Sequence, residues 1–429
     1  MGWLRTGSVI CLAAVGAGAA FAQPKPAPKP AVKQVVNGPV ATYWMSAQTS
    51  SGFGAGMMGG KKPSMGAMMS MMTSGGGGAQ HSLILQLGSS RKPTGAPQAE
   101  HLPPQGLGVG PSLPLLTPTA EPTQRTEEAP SMPKEYQRPK GRMLIFWGCG
   151  DHARPGQPVV IDFAQMAAGK VPPGLAALGQ NLAITPMQPP SPGRNATYGE
   201  WPNAKTRTPV PGQGSLVGSH TIKGNYSPDI AFALSPSQDF LAPLQLTTNA
   251  VGPMGSALLA WNAVPGAQAY LASAIGGGEA GGGQVDMVLW TSSEVQASAF
   301  GLTDFLSNAD LNRLVTSKAL LSPATTRCAV PKEVMAAAPH ALVQLSAYGG
   351  ETNLSYPARP ADPRTPWNID WSVKVRYKSQ TGAIVGMEMP GMDAGRSGQP
   401  QRPGQPPPPR PSIGGSILRG VLAGKIPGT

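Results

Sequence analysis

WSVKVRYKSQTGAIVGMEM (Trp371–Met389) opens with strict alternation: Trp371, Val373, Val375 and Tyr377 fall on one side of an extended chain, Lys374, Arg376 and Lys378 on the other. A period of two marks a strand with one face in a core and the other polar. Gln380, Thr381 and Gly382 then read as a turn, so a short final strand is expected to fold back on the first. Working outward, strand-length apolar runs recur at VATYWMSAQT (Val40–Thr49), HSLILQLGSS (His81–Ser90), RMLIFWGCG (Arg142–Gly150), QPVVIDF (Gln157–Phe163), SLVGSHTIKG (Ser215–Gly224) and IAFALSP (Ile230–Pro236). The fold class implied is mainly β: two β-sandwich-like domains with long Pro/Gly-rich linkers and one short helical insertion.

Composition agrees. The 429 residues include 56 Gly and 49 Pro, too many for regular structure throughout, and only 13% are charged. The formal net charge of +12 belongs to the ends: residues 23–99 carry seven Lys or Arg and no acid, residues 390–429 carry five against Asp393, and residues 100–389 balance at twenty of each sign. Basic ends attract anionic envelope polymer through screened electrostatics. Nucleic acid is not expected, because no clustered basic stripe with interleaved aromatics accompanies them.

The first twenty-two residues, MGWLRTGSVICLAAVGAGAAFA, read as an export signal: Arg5 supplies the positive end, Val9 to Phe21 the short apolar stretch, and Ala20-Phe21-Ala22 the cleavage site. The expected location is therefore the periplasm or cell envelope. The charge-free stretch 240–278 is broken by Pro253 and Pro265, so no membrane span is expected once the signal is removed. The expected organisation is a signal at 1–22, a Pro/Lys spacer at 23–39, and an N-terminal β domain at 40–236 with a Met/Gly-rich insertion at 51–80 and a Pro-rich strap at 93–139. A second sandwich follows at 237–389 with a helix at 302–320, then a Pro-rich basic tail at 390–429.

Cys11 falls in the signal, which leaves Cys149 and Cys328 as an even pair in a compartment that permits disulfides. Bridged, they would contribute about 5 kcal/mol on the chain-entropy account. The rival reading is a reactive thiol at Cys149, beside Asp151 and His152 in FWGCGDHARPG. The insertion holds seven of the 19 Met. Thioethers are soft ligands, and Met65, Met68, Met69, Met71 and Met72 form a candidate copper(I) or silver(I) site, with His81 near the end of the same loop. The same residues also suit an unordered apolar loop.

SALLAWNAVPGAQAYLASAI (Ser256–Ile275) reads as two strands of a sheet joined at Pro265-Gly266. Its Trp261, Pro265, Gly266, Ala267 and Tyr270 resemble the second and third strands of a fibronectin type III domain, where a core Trp precedes a Pro-Gly corner and a strand bearing Tyr. ALVQLSAYGGETNLSYP (Ala341–Pro357) resembles the penultimate strand and turn of that family. The resemblance covers about residues 239–359, implies a sandwich core and brings no catalytic or ligand residues. A helical segment at Leu302–Leu320 departs from it: Leu302, Phe305, Leu306, Ala309, Leu314 and Val315 recur at helical spacing, with Thr303 as cap. The whole chain also resembles uncharacterised exported proteins of Gram-negative bacteria, and no activity comes with that resemblance.

Catalytic motifs are not recognisable. Gly54, Gly56 and Gly59 satisfy G-x-G-x-x-G, but no helix-forming sequence follows and no acid precedes Glu100. There is no nucleophile elbow, P-loop or H-E-x-x-H, and the five His form no zinc spacing. The expected function is a non-enzymatic binding or scaffold role in the envelope, partnered by an envelope protein or anionic envelope polymer. A copper(I) or silver(I) carrier and a hydrolase with an unrecognised site are the alternatives.

Overall fold

The described residues of this computed structural model are 2, 33–52, 78–118, 141–170, 182, 184, 186–279, 285–296 and 302–387. The expected signal, the basic tail and most of the Met/Gly-rich insertion, including Met65, Met68, Met69, Met71 and Met72, lie outside them. In chain order the strands are β1 (Val36–Asn37), β2 (Ala41–Gly52), β3 (Gln80–Ser89), β4 (Ala99–Leu102), β5 (Leu113–Pro114), β6 (Arg142–Trp147), β7 (Val159–Asp162), β8 (Thr197–Trp201) and β9 (Gly218–Gly224). There follow β10 (Ile230–Leu234), β11 (Leu246–Val251), β12 (Ala257–Trp261), β13 (Ala269–Glu279), β14 (Val285–Thr291), β15 (Arg327–Val330), β16 (Leu342–Tyr356), β17 (Trp367–Asn368) and β18 (Trp371–Ile384).

Nine strands make one sheet, in the order β7-β6-β14-β13-β16-β18-β2-β3-β8. β18 is antiparallel to β16 on one side and parallel to β2 on the other. Its Trp371, Val373, Val375 and Tyr377 are buried, as the alternation requires, together with Tyr43 and Met45 of β2, Leu83 and Leu85 of β3, and Tyr270 of β13. A four-stranded sheet (β10-β9-β4-β5) and a three-stranded sheet (β11-β12-β15) contribute to the same buried cluster, the first through Ile222 and Ile230, the second through Leu259, Trp261 and Val330. The fold is mainly β. On the opposite face, Leu271 and Tyr348 pack against Leu302, Leu306, Leu311 and Leu314.

Segments 40–236 and 237–389, expected as separate bodies, interleave within this sheet. β2 pairs with β18, and β6 pairs with β14. The expected hairpin at Gln380-Thr381-Gly382 is replaced by one unbroken strand: Gln380 stands between Ser346 and Ser50, and Thr381 between Leu345 and Ser51. Ladder hydrogen bonds on both sides outweigh the local turn preference of these residues.

β12 and β13, expected as partners in one sheet, occupy different sheets because the chain crosses between layers at Val264–Ala267. Trp261 and Tyr270 consequently face each other, ring centroids 5.8 Å apart.

The helix expected at 302–320 is Asn308–Thr316, capped by Ser307, whose side chain accepts from the Asp310 backbone N–H. Leu302 and Leu306 keep their burial as parts of a packed loop. It is this loop burial, and not a longer helix, that produces their spacing. The described part of the expected strap supplies β4 and β5 and buries Leu107, Val109, Leu113 and Leu115 in the core.

One irregularity positions the site described next. β16 pairs with β18 in register through Tyr348 and Lys378, then resumes at Gly350 and Tyr377, leaving Gly349 as an extra residue. A one-residue slip moves all later side chains to the other face. Glu351 and Asn353 are thereby brought opposite Arg376 and Lys374. Gly350 holds a φ of 72° where the Asn308 and Gln268 side chains occupy the space a Cβ would need, so glycine is required.

Candidate functional site

Lys374, Arg376 and Lys378 occupy alternate positions on the face of β18 turned away from the core, about 7 Å apart. Trp44 and Ser46 of β2 stand beside them, in register with Lys374 and Arg376. Arg376 donates to Ser46 Oγ from Nε at 3.0 Å and from Nη2 at 2.7 Å. Its guanidinium carbon lies 5.0 Å from the Trp44 ring centroid and 4.5 Å from that of Phe305. Lys374 Nζ is 5.4 Å from the Trp44 ring, and Lys378 Nζ is 5.5 Å from the Phe305 ring. Cations and rings therefore alternate: Lys374, Trp44, Arg376, Phe305, Lys378.

Arg376 is only 6% exposed and Lys378 4%. Lys374 pairs with Glu351, but neither of the other two forms an ion pair among the described residues. Lys378 donates to the Thr303 carbonyl at 2.6 Å, and Arg376 Nη1 faces the Met187 thioether at 3.5 Å.

Burying an ion costs several kcal/mol, whereas a desolvated cation–π contact returns about 2 kcal/mol and a hydrogen bond from a charged donor about 1.5–3 kcal/mol. Arg376, with two rings and a hydroxyl, comes near balance. Lys378, with one ring and one carbonyl, does not. Desolvation pulls the Lys378 pKa down to about 8, Asp304 opposing and Arg376 reinforcing the shift. Desolvation also lowers Arg376, against the pull of Asp304 and Glu351.

At Lys374 this face opens into a cleft of about 240 Å³ whose lining includes Trp44, Asn353, Ser355, Trp367, Ser372 and Lys374. Trp367 is held by its Nε1–H donating to the Pro357 carbonyl at 3.0 Å, with the Arg359 guanidinium 5.6 Å from its ring centroid. Aromatic walls with a few convergent polar groups are what a binding concavity needs: the rings supply contact area and the polar groups set orientation.

A second polar group is buried beneath the four-stranded sheet. Tyr43 Oη and His101 Nδ1 are 2.6 Å apart, His101 Nε2 and His220 Nδ1 2.9 Å, and His220 Nε2 and the Leu216 carbonyl 2.7 Å. Because the carbonyl can only accept, His220 carries its proton on Nε2 and accepts on Nδ1 from His101. Tyr43 then donates to His101. Burial lowers the pKa of both imidazoles, and the proximity of His220 lowers His101 further. Both rings are fully buried, so the chain of hydrogen bonds ties layers together.

Cys149 and Cys328 are joined, with sulfurs 2.07 Å apart. The bridge occupies the sulfur that the reactive-thiol reading needs. His152 Nδ1 lies 3.2 Å from Glu333 Oε1, and Asp151 accepts from Ser256 Oγ at 2.6 Å. His81, near the start of β3, stacks on Phe240 at 4.0 Å, and among the described residues its buried Nδ1 has no hydrogen-bond partner. Among the described residues no group of three or more His, Cys, Asp or Glu gathers as a metal site, and no helix is long and apolar enough to cross a membrane.

This is a mainly β chain with a cation and aromatic row ending in a cleft. Compared with known protein families, curated proteins and solved structures, it matches none. The row was missed from sequence because Lys374, Arg376 and Lys378 read as the polar side of a strand. The signal present was their identity, three cations at successive alternate positions with no acid between them.

Proposed function

We propose that the chain is an exported, non-enzymatic binding protein of the cell envelope whose cleft takes an anionic envelope polymer. The observation that carries this reading is the cleft itself, with Trp44 and Trp367 in its lining and a cation, Lys374, already at its wall. Lys374 exchanges its Glu351 partner for a negative group of the polymer, Asn353, Ser355 and Ser372 offer hydrogen bonds, and the rings pack against the polymer's apolar surface. The reading of residues 1–22 as an export signal supports the location. The facing of Trp261 and Tyr270 across two layers supports a sandwich body of fibronectin type III kind over 239–359.

The test measures binding of purified anionic envelope polysaccharide to the full chain and to Trp367→Ala and Lys374→Met. Each substitution is expected to weaken binding about tenfold, equivalent to about 1.4 kcal/mol. Unchanged binding in both variants overturns the assignment.

A second reading, copper(I) or silver(I) uptake by Met65, Met68, Met69, Met71 and Met72, is favoured by one observation: β2 and β3, which flank their loop, pair beside His81, whose Nδ1 lacks a partner among the described residues. Titration with copper(I) against a competing chelator decides it, because deletion of residues 53–77 must then abolish uptake.

A further inference from the structure

Arg376 and Lys378 bring two positive charges into the protein interior with no carboxylate in ion-pair contact among the described residues. Two acids act on the pair without ion-pair contact: Glu351, which holds Lys374, and the exposed Asp304, which accepts from the Phe305 backbone N–H at 2.7 Å. Donor capacity remains on both cations. The guanidinium commits Nε and Nη2 to Ser46 and points Nη1 at a thioether, a weak acceptor, while Lys378 uses one of its three N–H groups on the Thr303 carbonyl.

We propose that the Arg376 and Lys378 pair is a binding site for a phosphate-type dianion. Two positive charges call for a doubly charged partner. A tetrahedral phosphate presents oxygens to a planar guanidinium edge and to an ammonium at once, where a carboxylate supplies half the charge. The cleft approaches the pair from the Lys374 end, and neither Arg376 nor Lys378 is in its lining. Lys374 forms part of its wall and is the outermost member of the row, and Trp44 touches both Lys374 and Arg376. The inference rests on the cleft reading for this route and adds to it the ligand's chemistry: the anionic groups of the bound partner are phosphates.

The experiment uses the full chain in chloride buffer, titrated with inorganic phosphate at matched ionic strength. A second arm uses phosphatidylcholine vesicles with and without phosphatidic acid. A saturable rise of the melting temperature with phosphate is expected, abolished in Lys378→Met and in Arg376→Met. Both variants are expected to fold, and Lys378→Met to melt above the unsubstituted chain in chloride, since an apolar side chain replaces a buried charge that has no ion pair.

Identical melting of the unsubstituted chain in phosphate and chloride overturns the proposal, as does a phosphate response that survives in Lys378→Met. Sedimentation with vesicles that requires both phosphatidic acid and Lys378 assigns the phosphate to a lipid headgroup. A response to inorganic phosphate without vesicle binding assigns it to a soluble or polymer-borne phosphate. Trp367→Ala keeps the two readings apart, because it weakens polysaccharide binding while leaving the response to inorganic phosphate intact.

Discussion

Lys378 is held in the least favourable setting of any charged residue in the row, and the consequence is measurable as a pH dependence. Its native pKa of about 8 lies below the ordinary 10.5, so between those values the unfolded chain carries a proton that the native chain lacks. Stability therefore rises with pH across that window, and the deficit below it is about 3 kcal/mol. Urea unfolding in phosphate-free buffer is expected to show this rise from pH 8 to about 9.5, before tyrosines of the unfolded chain ionise, and Lys378→Met is expected to remove it. His101 and His220 act at the acid end. Their native pKa values lie below 6.5, so the unfolded chain takes up protons that the native chain refuses. Their contribution is complete well above 6.5 and is lost as pH falls through and beneath it. Denaturant melts across the first pH unit below 6.5 test this, and a flat profile would contradict the neutral hydrogen-bonded chain from Tyr43 to Leu216. None of these environments was legible in sequence: a buried lysine and an exposed one are the same letter.

At the scale of elements, the strands with local signatures were legible. β6, β7, β9 and β10 fall within runs whose alternation or apolar bulk marks them, and β2 and β3 overlap theirs. What escaped was decided by neighbours. Gln380, Thr381 and Gly382 carry turn-forming chemistry yet lie in a central strand, because β16 and β2 satisfy their backbone from both sides. The bulge at Gly349 has no sequence mark beyond a Gly pair, though it decides which side chains of β16 reach the cleft. Inserting one residue after Gly350 is expected to turn Glu351 and Asn353 into the core and to lower the unfolding free energy by more than about 4 kcal/mol. An insertion variant with native stability would show that the face presented by Glu351 does not depend on this register. Ser307 offers a milder check: Ser307→Ala removes the cap of the helix Asn308–Thr316 and is expected to cost about 1 kcal/mol in thermal or denaturant melts.

Across the whole molecule, strands from both halves of the chain meet in one sheet over one buried cluster, so the halves are expected to unfold together. Calorimetry is expected to give a single transition, and two separated transitions would contradict the shared core. The segment 237–389 on its own is expected not to fold, since it would lose β2 beside β18 and β6 beside β14. Reducing the Cys149–Cys328 bridge, which closes 179 positions of chain, is expected to lower stability by about 2–5 kcal/mol in the same assay. The amino-acid sequence alone determined that the chain is mainly β and which side of β18 is apolar, because alternation is a property of adjacent residues. Tertiary structure alone decided that the polar side of that strand would be buried, with Arg376 bonded to Ser46 at 330 positions' distance and Phe305 laid over it. Burial depends on which distant strand pairs alongside and which loop packs above, and neither is written in the spacing of neighbouring side chains.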